Sequence, residues 1–104
     1  MKTATDLEQS RKLSEILPKE TSDCNWNTTF DNEWNCCMGS SNSKFSVPAW
    51  SLTALLGVLP SATLDSSDDH HYRLHCMERY TEWHDNPVDT CVAMIKRLHE
   101  LNLL

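Results

Sequence analysis

Asp85-Asn86-Pro87-Val88-Asp89 is the stretch that decides the fold, because it predicts where a C-terminal helix begins. Asp85 or Asn86 has the short side-chain oxygen that accepts a hydrogen bond from a backbone N–H of the first helical turn. Pro87 suits the first helical position, where a missing N–H is no loss. Asp89 then lies in the first turn, which suits the helix dipole.

Apolar residues recur every three or four positions after this start, which is the spacing of one face of a helix. They are Val88, Cys91, Val92, Ile95, Leu98 and Leu101. A helix with one apolar face must bury that face, so the upstream chain is expected to supply the surface on which it packs. Ile95 lies in the middle of the stripe and is predicted to be fully buried.

The composition predicts one small domain over residues 1–104, with 39% hydrophobic residues for a single core. The net charge of −6 argues against nucleic acid and anionic membranes as partners, since both require a basic surface. The two glycines of the chain are too few for the loops that cradle phosphates. No cofactor is predicted.

The five cysteines show no repeated spacing and are odd in number, which is not typical of a disulfide framework. They are Cys24, Cys36, Cys37, Cys76 and Cys91. No apolar run follows the first lysine, so no secretory signal is predicted. Reduced thiols and a cytoplasmic location are therefore expected.

The first half of the chain predicts a helix and a hairpin. Residues 5–17 form the predicted helix, which ends before Pro18 because the residue before a proline avoids helical geometry. Alternating bulky and small polar residues predict strands over 24–30 and 34–38, with a turn at Asp31-Asn32. Residues 39–44 are small and polar and are predicted to form a loop.

A second helix is predicted to begin at Val47-Pro48-Ala49-Trp50, with proline in its first turn, and to end before Pro60. Its apolar face consists of Leu52, Leu55, Leu56 and Leu59. Residues 65–69 are predicted to form a polar loop.

Residues 70–84 fit two structures. As a hairpin, the segment places Tyr72, Leu74 and Cys76 on one face and turns near Glu78-Arg79. As a helix, it has an apolar stripe formed by Tyr72, Cys76, Tyr80 and Trp83. No Gly, Pro or Asn marks a turn, which favours the helix.

Residues 13–23 and 55–65 share the pattern Leu-x-x-Ile/Val-Leu-Pro-x-x-Thr-x-Asp. A duplicated helix–strand–strand unit explains the similarity, but chance is the favoured explanation, since short similarities arise easily.

Three groups of residues, in this order along the chain, are similar to a known family. They are Leu13-Ser14-Glu15-Ile16-Leu17-Pro18, then Pro48-Ala49-Trp50-Ser51-Leu52 with Leu55-Leu56-Gly57-Val58-Leu59-Pro60, then Asp85-Asn86-Pro87-Val88-Asp89 with Met94-Ile95 and Leu98-His99-Glu100-Leu101. The family that they resemble consists of small uncharacterised proteins from gut bacteria and their phages or mobile elements. The resemblance favours strands for both middle segments and implies no activity and no catalytic residue. With it, the chain is predicted to be an α+β domain with three helices packed on a small antiparallel sheet, in the order α-β-β-α-β-β-α.

The densest group of metal-ligand types is His70, His71, His75 and Cys76. On a strand, His71 and His75 lie roughly 13 Å apart, too far to share one zinc ion. On a helix they share a face. A metal site therefore depends on the helical interpretation, and no metal is predicted.

Two cysteine arrangements are candidates for a reactive site. Cys36-Cys37 lacks the two-residue gap of a redox motif. Cys76 with His84 is a conceivable nucleophile pair, but a buried free cysteine is more often an apolar filler.

The four tryptophans separate into two predicted roles. Trp26 and Trp50 are expected in the core, whereas Trp34 and Trp83, beside charged residues, are expected to be partly exposed. Exposed tryptophans suit a protein partner. The sequence therefore predicts a non-catalytic protein-binding module; the alternative is a small metal- or thiol-dependent enzyme. No catalytic, cofactor-binding or metal residue is assigned.

Overall fold

The computed structural model describes residues 2–28, 33–39 and 46–104. This part of the chain forms three helices and two three-stranded antiparallel sheets. The helices are α1 (Leu7–Ser14), α2 (Leu52–Val58) and α3 (Pro87–Glu100), and a 3₁₀ turn covers Lys19–Thr21. The strands are β1 (Cys24–Thr28), β2 (Trp34–Met38), β3 (Val47–Ala49), β4 (Thr63–Ser66), β5 (Tyr72–Cys76) and β6 (Arg79–Tyr80). The predicted α+β class and element order are confirmed, with β3 and β4 as additional strands and two sheets in place of one.

Helix α3 begins as the sequence predicts. The side chain of Asn86 accepts a hydrogen bond from the Asp89 N–H at 2.8 Å, and Pro87 occupies the first turn. The helix buries a broad face, which comprises Pro87, Val88, Thr90, Cys91, Val92, Met94, Ile95 and Leu98. Ile95 is fully buried, as expected. Leu101 is exposed, because the helix ends one residue before it.

One hydrophobic cluster joins the three helices to the second sheet. Its buried members are Leu13, Leu17, Trp50, Leu55, Leu59, Leu74, Cys76, Val88, Cys91, Val92, Met94, Ile95 and Leu98. The cluster lies where α3 packs against both β5 and α2. The predicted apolar face of α2 also contributes to it, with Leu55 and Leu59 buried and Leu52 and Leu56 packed at its margin.

The first sheet has the strand order β2-β1-β3. The predicted hairpin is confirmed, with Cys24 opposite Met38 and Thr28 opposite Trp34. Its predicted turn at Asp31-Asn32 and most of the predicted loop after Gly39 lie outside the described residues.

The prediction that a helix begins at Val47-Pro48 is wrong, because this segment is β3 and pairs with β1. Helix α2 begins at Leu52, where Ser51 caps it by accepting a hydrogen bond from the Ala54 N–H. Proline fits both the start of a helix and an edge strand, so the local sequence does not separate the two structures. Here pairing with β1 decides between them.

The second sheet has the strand order β4-β5-β6, and the predicted hairpin over 70–84 is confirmed. Its turn is at Met77-Glu78, and both residues have positive φ angles, 53° and 63°. The prediction of a loop at 65–69 is partly wrong, because residues 65 and 66 end strand β4. Strand β5 of this sheet packs on α3.

Helix α1 is shorter than predicted. It begins after a capping box in which Asp6 and Gln9 bond each other's backbone N–H groups. Its last turn loosens before Pro18, where the Leu17 N–H still donates to the Leu13 carbonyl. In the described part of the chain no helix is long and apolar enough to cross a membrane.

The two similar segments have different surroundings. Asp23 accepts a hydrogen bond from the Ser51 N–H at 2.9 Å, whereas the matching Asp65 pairs with Arg73 on β5. The central strand of the first sheet is the first of its three in sequence, and that of the second sheet is the second. This difference in strand order does not support a duplication.

Candidate functional site

The second sheet presents two chemically different faces. Along β5, Leu74 and Cys76 are buried, whereas the alternate residues Arg73 and His75 are only partly buried. Successive side chains of a strand point to opposite faces, so Arg73 and His75 lie on the outer face, away from the core.

Arg73 contacts two aromatic rings on this outer face. Its guanidinium carbon lies 4.5 Å from the ring centroid of Tyr80 and 4.7 Å from that of Trp83. The His75 ring also stacks on Tyr80, and the two ring centroids are 4.4 Å apart. We call these four residues the arginine–aromatic cluster. Tyr80 is 53% exposed and Trp83 is 46% exposed, so the cluster displays large aromatic side chains at the surface.

The pairing of the strands positions each member of the cluster. His75 is directly opposite Tyr80 in the β5–β6 register. A single bridge between Tyr72 and His84 holds the segment after β6 beside β5, and this segment carries Trp83. On the other side, the Asp65 carboxylate of β4 lies 3.5 Å from Arg73 Nη2. The guanidinium of Arg73 therefore has three contacts within the chain, with Tyr80, Trp83 and Asp65, before any partner binds.

Two surface depressions flank the cluster. One of about 350 Å³ is lined by Ser67, Asp69, His71 and Trp83. The other, of about 300 Å³, is lined by Tyr80, Thr81, Glu82, His84, Ala93, Lys96, Arg97 and Glu100. The exposed rings thus stand beside concave surfaces that can receive side chains of another molecule.

The structure does not bring the candidate metal ligands together. His71 lies near Asp85, His75 stacks on Tyr80, and the buried Cys76 thiol donates to the Pro60 carbonyl at 3.2 Å. Because the segment is a hairpin, the helical arrangement on which a metal site depended is not formed. Within residues 2–28, 33–39 and 46–104 no group of three or more His, Cys, Asp or Glu side chains is placed to hold a metal ion.

Three of the five cysteines, Cys24, Cys76 and Cys91, are buried, whereas Cys36 and Cys37 are exposed. Cys76 and His84 are at opposite ends of β5, since His84 pairs with Tyr72, and four strand residues span roughly 13 Å. Burial raises the pKa of Cys91 to about 12, and burial together with the hydrogen bond to Asp23 raises that of Cys24 to about 12. Burial also raises the pKa of Cys36 and Cys76. A raised pKa lowers the thiolate fraction at neutral pH, which opposes nucleophilic chemistry.

The tryptophans occupy the predicted environments with one exception. Trp50 is fully buried and Trp83 is exposed, as expected. Trp34 is half-buried, with the Arg11 guanidinium 5.5 Å from its ring centroid. Trp26, expected in the core, is only half-buried, and its Nε1 donates to the Thr5 carbonyl at 3.0 Å. Trp34 and Trp83 lie beside different sheets.

A polar cluster that links the N-terminal segment to α3 had no signal in the sequence. Asp89 Oδ1 accepts hydrogen bonds from Lys2 Nζ and Gln9 Nε2, each at 2.8 Å, and Asn86 Nδ2 donates to Asp89 Oδ2 at 2.8 Å. Lys2 also pairs with Asp6 at 3.1 Å. Residues separated by almost the whole chain meet here, and only the folded structure shows that they do.

The pH dependence of stability should report this cluster. Burial opposes ionisation of Asp89, but hydrogen bonds from Lys2, Gln9 and Asn86 outweigh it and lower the pKa of Asp89 below 3.8. A lowered pKa means that the stabilisation is present above the ordinary pKa and is lost as the pH falls through the folded-state value. We expect Asp89→Asn to reduce the free energy of unfolding near pH 7 by about 1 kcal/mol, a discounted value because the ion pair is partly exposed.

Chemical denaturation of both proteins from neutral to acidic pH checks this expectation. The difference between them should shrink below pH 3.8, where the wild-type carboxylate becomes protonated. Burial lowers the pKa of Lys2, but the hydrogen bonds to Asp89 and Asp6 outweigh it and raise that pKa above 10.5. The contribution of Lys2 is therefore complete at neutral pH. A difference between the two proteins that stays constant through the acidic range would contradict the assignment.

No family model matches this chain, and the comparisons with curated proteins and with solved structures likewise found no match.

Proposed function

We propose that the protein is a non-catalytic protein-binding module and that the arginine–aromatic cluster is its main contact with the partner. The observation that carries this proposal is the pair of exposed rings, Tyr80 and Trp83, that both contact the Arg73 guanidinium. Tyrosine, tryptophan and arginine are the residue types most enriched among those that dominate binding energy in protein interfaces.

The rigidity of the cluster also supports the proposal. Strand pairing fixes Arg73 and Tyr80, and the Asp65 carboxylate restrains the guanidinium. Side chains that are ordered before binding lose less conformational entropy when the complex forms. The flanking depressions add concave surface beside each ring, as is typical of interface residues that pair with side chains of the partner.

No observation favours the enzymatic alternative. The four thiols with shifted pKa values are all shifted upward, away from the reactive thiolate. We propose that the protein works in the cytoplasm as an accessory protein. We also propose that it belongs to the family that its sequence resembles, the small uncharacterised proteins from gut bacteria and their phages or mobile elements.

Affinity capture with a cluster variant tests the function. The double variant Tyr80→Ala/Trp83→Ala removes both rings. The variant Arg73→Lys keeps the positive charge but loses the planar guanidinium that contacts them. Each ring, if it acts as an interface hot spot, contributes about 2 kcal/mol, which corresponds to roughly 30-fold in affinity. We expect a protein captured saturably by the wild type to bind the double variant at least about 30-fold more weakly, as measured by calorimetry with the purified partner.

Glu15→Ala is the control, because Glu15 is an exposed side chain at the end of α1, a helix that packs on the other sheet. It should leave the affinity unchanged. Thermal unfolding of each variant confirms that the fold is retained. Equal affinity of wild type and double variant for the captured protein would contradict the role of the cluster, and failure of the wild type to bind any protein saturably would contradict the function.

A further inference from the structure

Within the described residues, the outer edge of the first sheet along β2 pairs with no other strand. Among the described strands, β2 pairs with β1 alone. Its residues, Trp34-Asn35-Cys36-Cys37-Met38, include no charged residue and no proline. Natural proteins usually block exposed strand edges with charges or proline, to prevent pairing with another chain. The opposite edge of the same sheet has such a block, Pro48 on β3.

The hydrogen-bond pattern shows which residues of β2 face this free edge. The Gly39 N–H donates to the Asp23 carbonyl of the chain that leads into β1, at 2.7 Å. Backbone groups of alternate residues point to opposite sides of an antiparallel strand. Asn35 and Cys37 therefore bond to β1, and Trp34, Cys36 and Met38 direct their N–H and C=O groups away from it. The outward residues are spaced symmetrically about Cys36.

We propose that β2 of a second copy of this chain pairs with this edge, antiparallel and with a two-fold axis that passes between the two Cys36 residues. In this register Cys36 is opposite Cys36 of the partner subunit, and Trp34 is opposite Met38 of the partner subunit. All outward backbone groups of both strands are then paired. The first sheet of each subunit then joins that of the other to form one continuous six-stranded sheet. The two subunits use the same surface, as a two-fold interface requires.

The side chains on this strand suit a second copy in particular. Each chain carries a net charge of −6, so most of its surface repels another copy, but β2 is uncharged. The neighbouring carboxylate, Glu33, is opposite Gly39 of the partner subunit in the proposed register. Met38 is 75% exposed, and the dimer places its sulfur against the Trp34 ring of the other subunit, a favourable contact. This inference does not depend on the proposed function, since the arginine–aromatic cluster lies on the other sheet.

Two matched variants test the register, Cys36→Lys and Cys37→Lys. Both cysteines are exposed and adjacent on the same strand. Lysine at position 36 places two positive charges directly opposite each other across the two-fold axis, which destabilises a cross-strand pair. Lysine at position 37 is opposite the uncharged Asn35 of the partner subunit. Under reducing conditions, sedimentation equilibrium should show concentration-dependent dimers for wild type and Cys37→Lys, and at least about tenfold weaker association for Cys36→Lys.

Amide hydrogen exchange supplies a second measurement that needs no variant. The N–H groups of Asn35 and Cys37 should be protected at every protein concentration, because they bond to β1. Those of Trp34, Cys36 and Met38 should gain protection only as the dimer forms. A wild-type protein that remains monomeric at about 1 mM, the weak end of the affinity range, would overturn the proposal. Equal association of the two lysine variants, or uniform protection along β2, would overturn the register.

Discussion

Replacing Trp50 with alanine is expected to lower the melting temperature by about 12 °C or more. Trp50 is fully buried in the cluster that joins the three helices to β5. Truncation of a buried tryptophan to alanine costs ~3–5 kcal/mol, because transfer energy is lost and a cavity remains. A small domain changes its melting temperature by about 4–8 °C for each kcal/mol.

The polar contacts of Trp50 add to the expected loss. Its indole Nε1 donates to Thr21 Oγ1 at 2.9 Å, and removal of the ring leaves this hydroxyl without that bond. Its backbone accepts from the Thr5 N–H at 2.9 Å and so connects the N-terminal segment to the start of α2. The alanine variant keeps this backbone bond, so the expected loss comes from the buried ring and its hydrogen bond to Thr21.

Trp83→Ala is the control for this prediction, since it removes the same side chain from the surface. It should lower the melting temperature much less, because Trp83 is 46% exposed and loses mainly its contact with Arg73. Differential scanning calorimetry of both variants measures the contrast. Shifts of equal size would show that the core is not built around Trp50.

Ile95→Ala is expected to have the second largest effect, a loss of ~2–5 kcal/mol in the free energy of unfolding. Ile95 is fully buried at the centre of α3, on the face that packs against β5 and α2. A domain of this size has only about 5–15 kcal/mol of net stability. The melting temperature should therefore fall by about 10 °C or more.

Glu100→Ala tests the opposite side of the same helix. Glu100 is exposed at the last residue of α3, where a substitution is expected to change stability by no more than about 0.5 kcal/mol. Urea denaturation of the two variants compares them directly. If Glu100→Ala destabilised the protein as much as Ile95→Ala, the apolar face assigned to α3 would be wrong.

Helix α3 could be predicted because its signals are local. They all lie in the helix or in the residue directly before it: the cap at Asn86, the proline at position 87 and the spacing of the apolar residues. Strand β3 could not be predicted, because Val47-Pro48 is compatible with a helix start until β1 is placed beside it. The hairpin turn was predicted near Glu78-Arg79 and lies one residue earlier, at Met77-Glu78. Its exact position had no local signal, since a two-residue hairpin turn with positive φ angles usually contains glycine or asparagine.

The candidate site was only partly visible in the sequence. Exposure of Trp83 was predicted from its charged neighbours, but its contact with Arg73 requires the bridge between Tyr72 and His84. The stacking of His75 on Tyr80 requires the β5–β6 register, which the pattern of residues did not determine. Side-chain clusters on a sheet depend on pairing between strands, and pairing is a property of the whole fold.

The hydrogen bond from Lys2 to Asp89 bears on the order in which the chain folds. These residues are separated by 87 positions, so their contact closes a loop that includes nearly every other element. Contacts of such high sequence separation form late, after local elements have shortened the effective loop. A ribosome that adds roughly 5–20 residues per second releases the N-terminal segment several seconds before its partner on α3 exists. During synthesis this contact can therefore form only after α3 has been made, so it is among the late contacts of the fold.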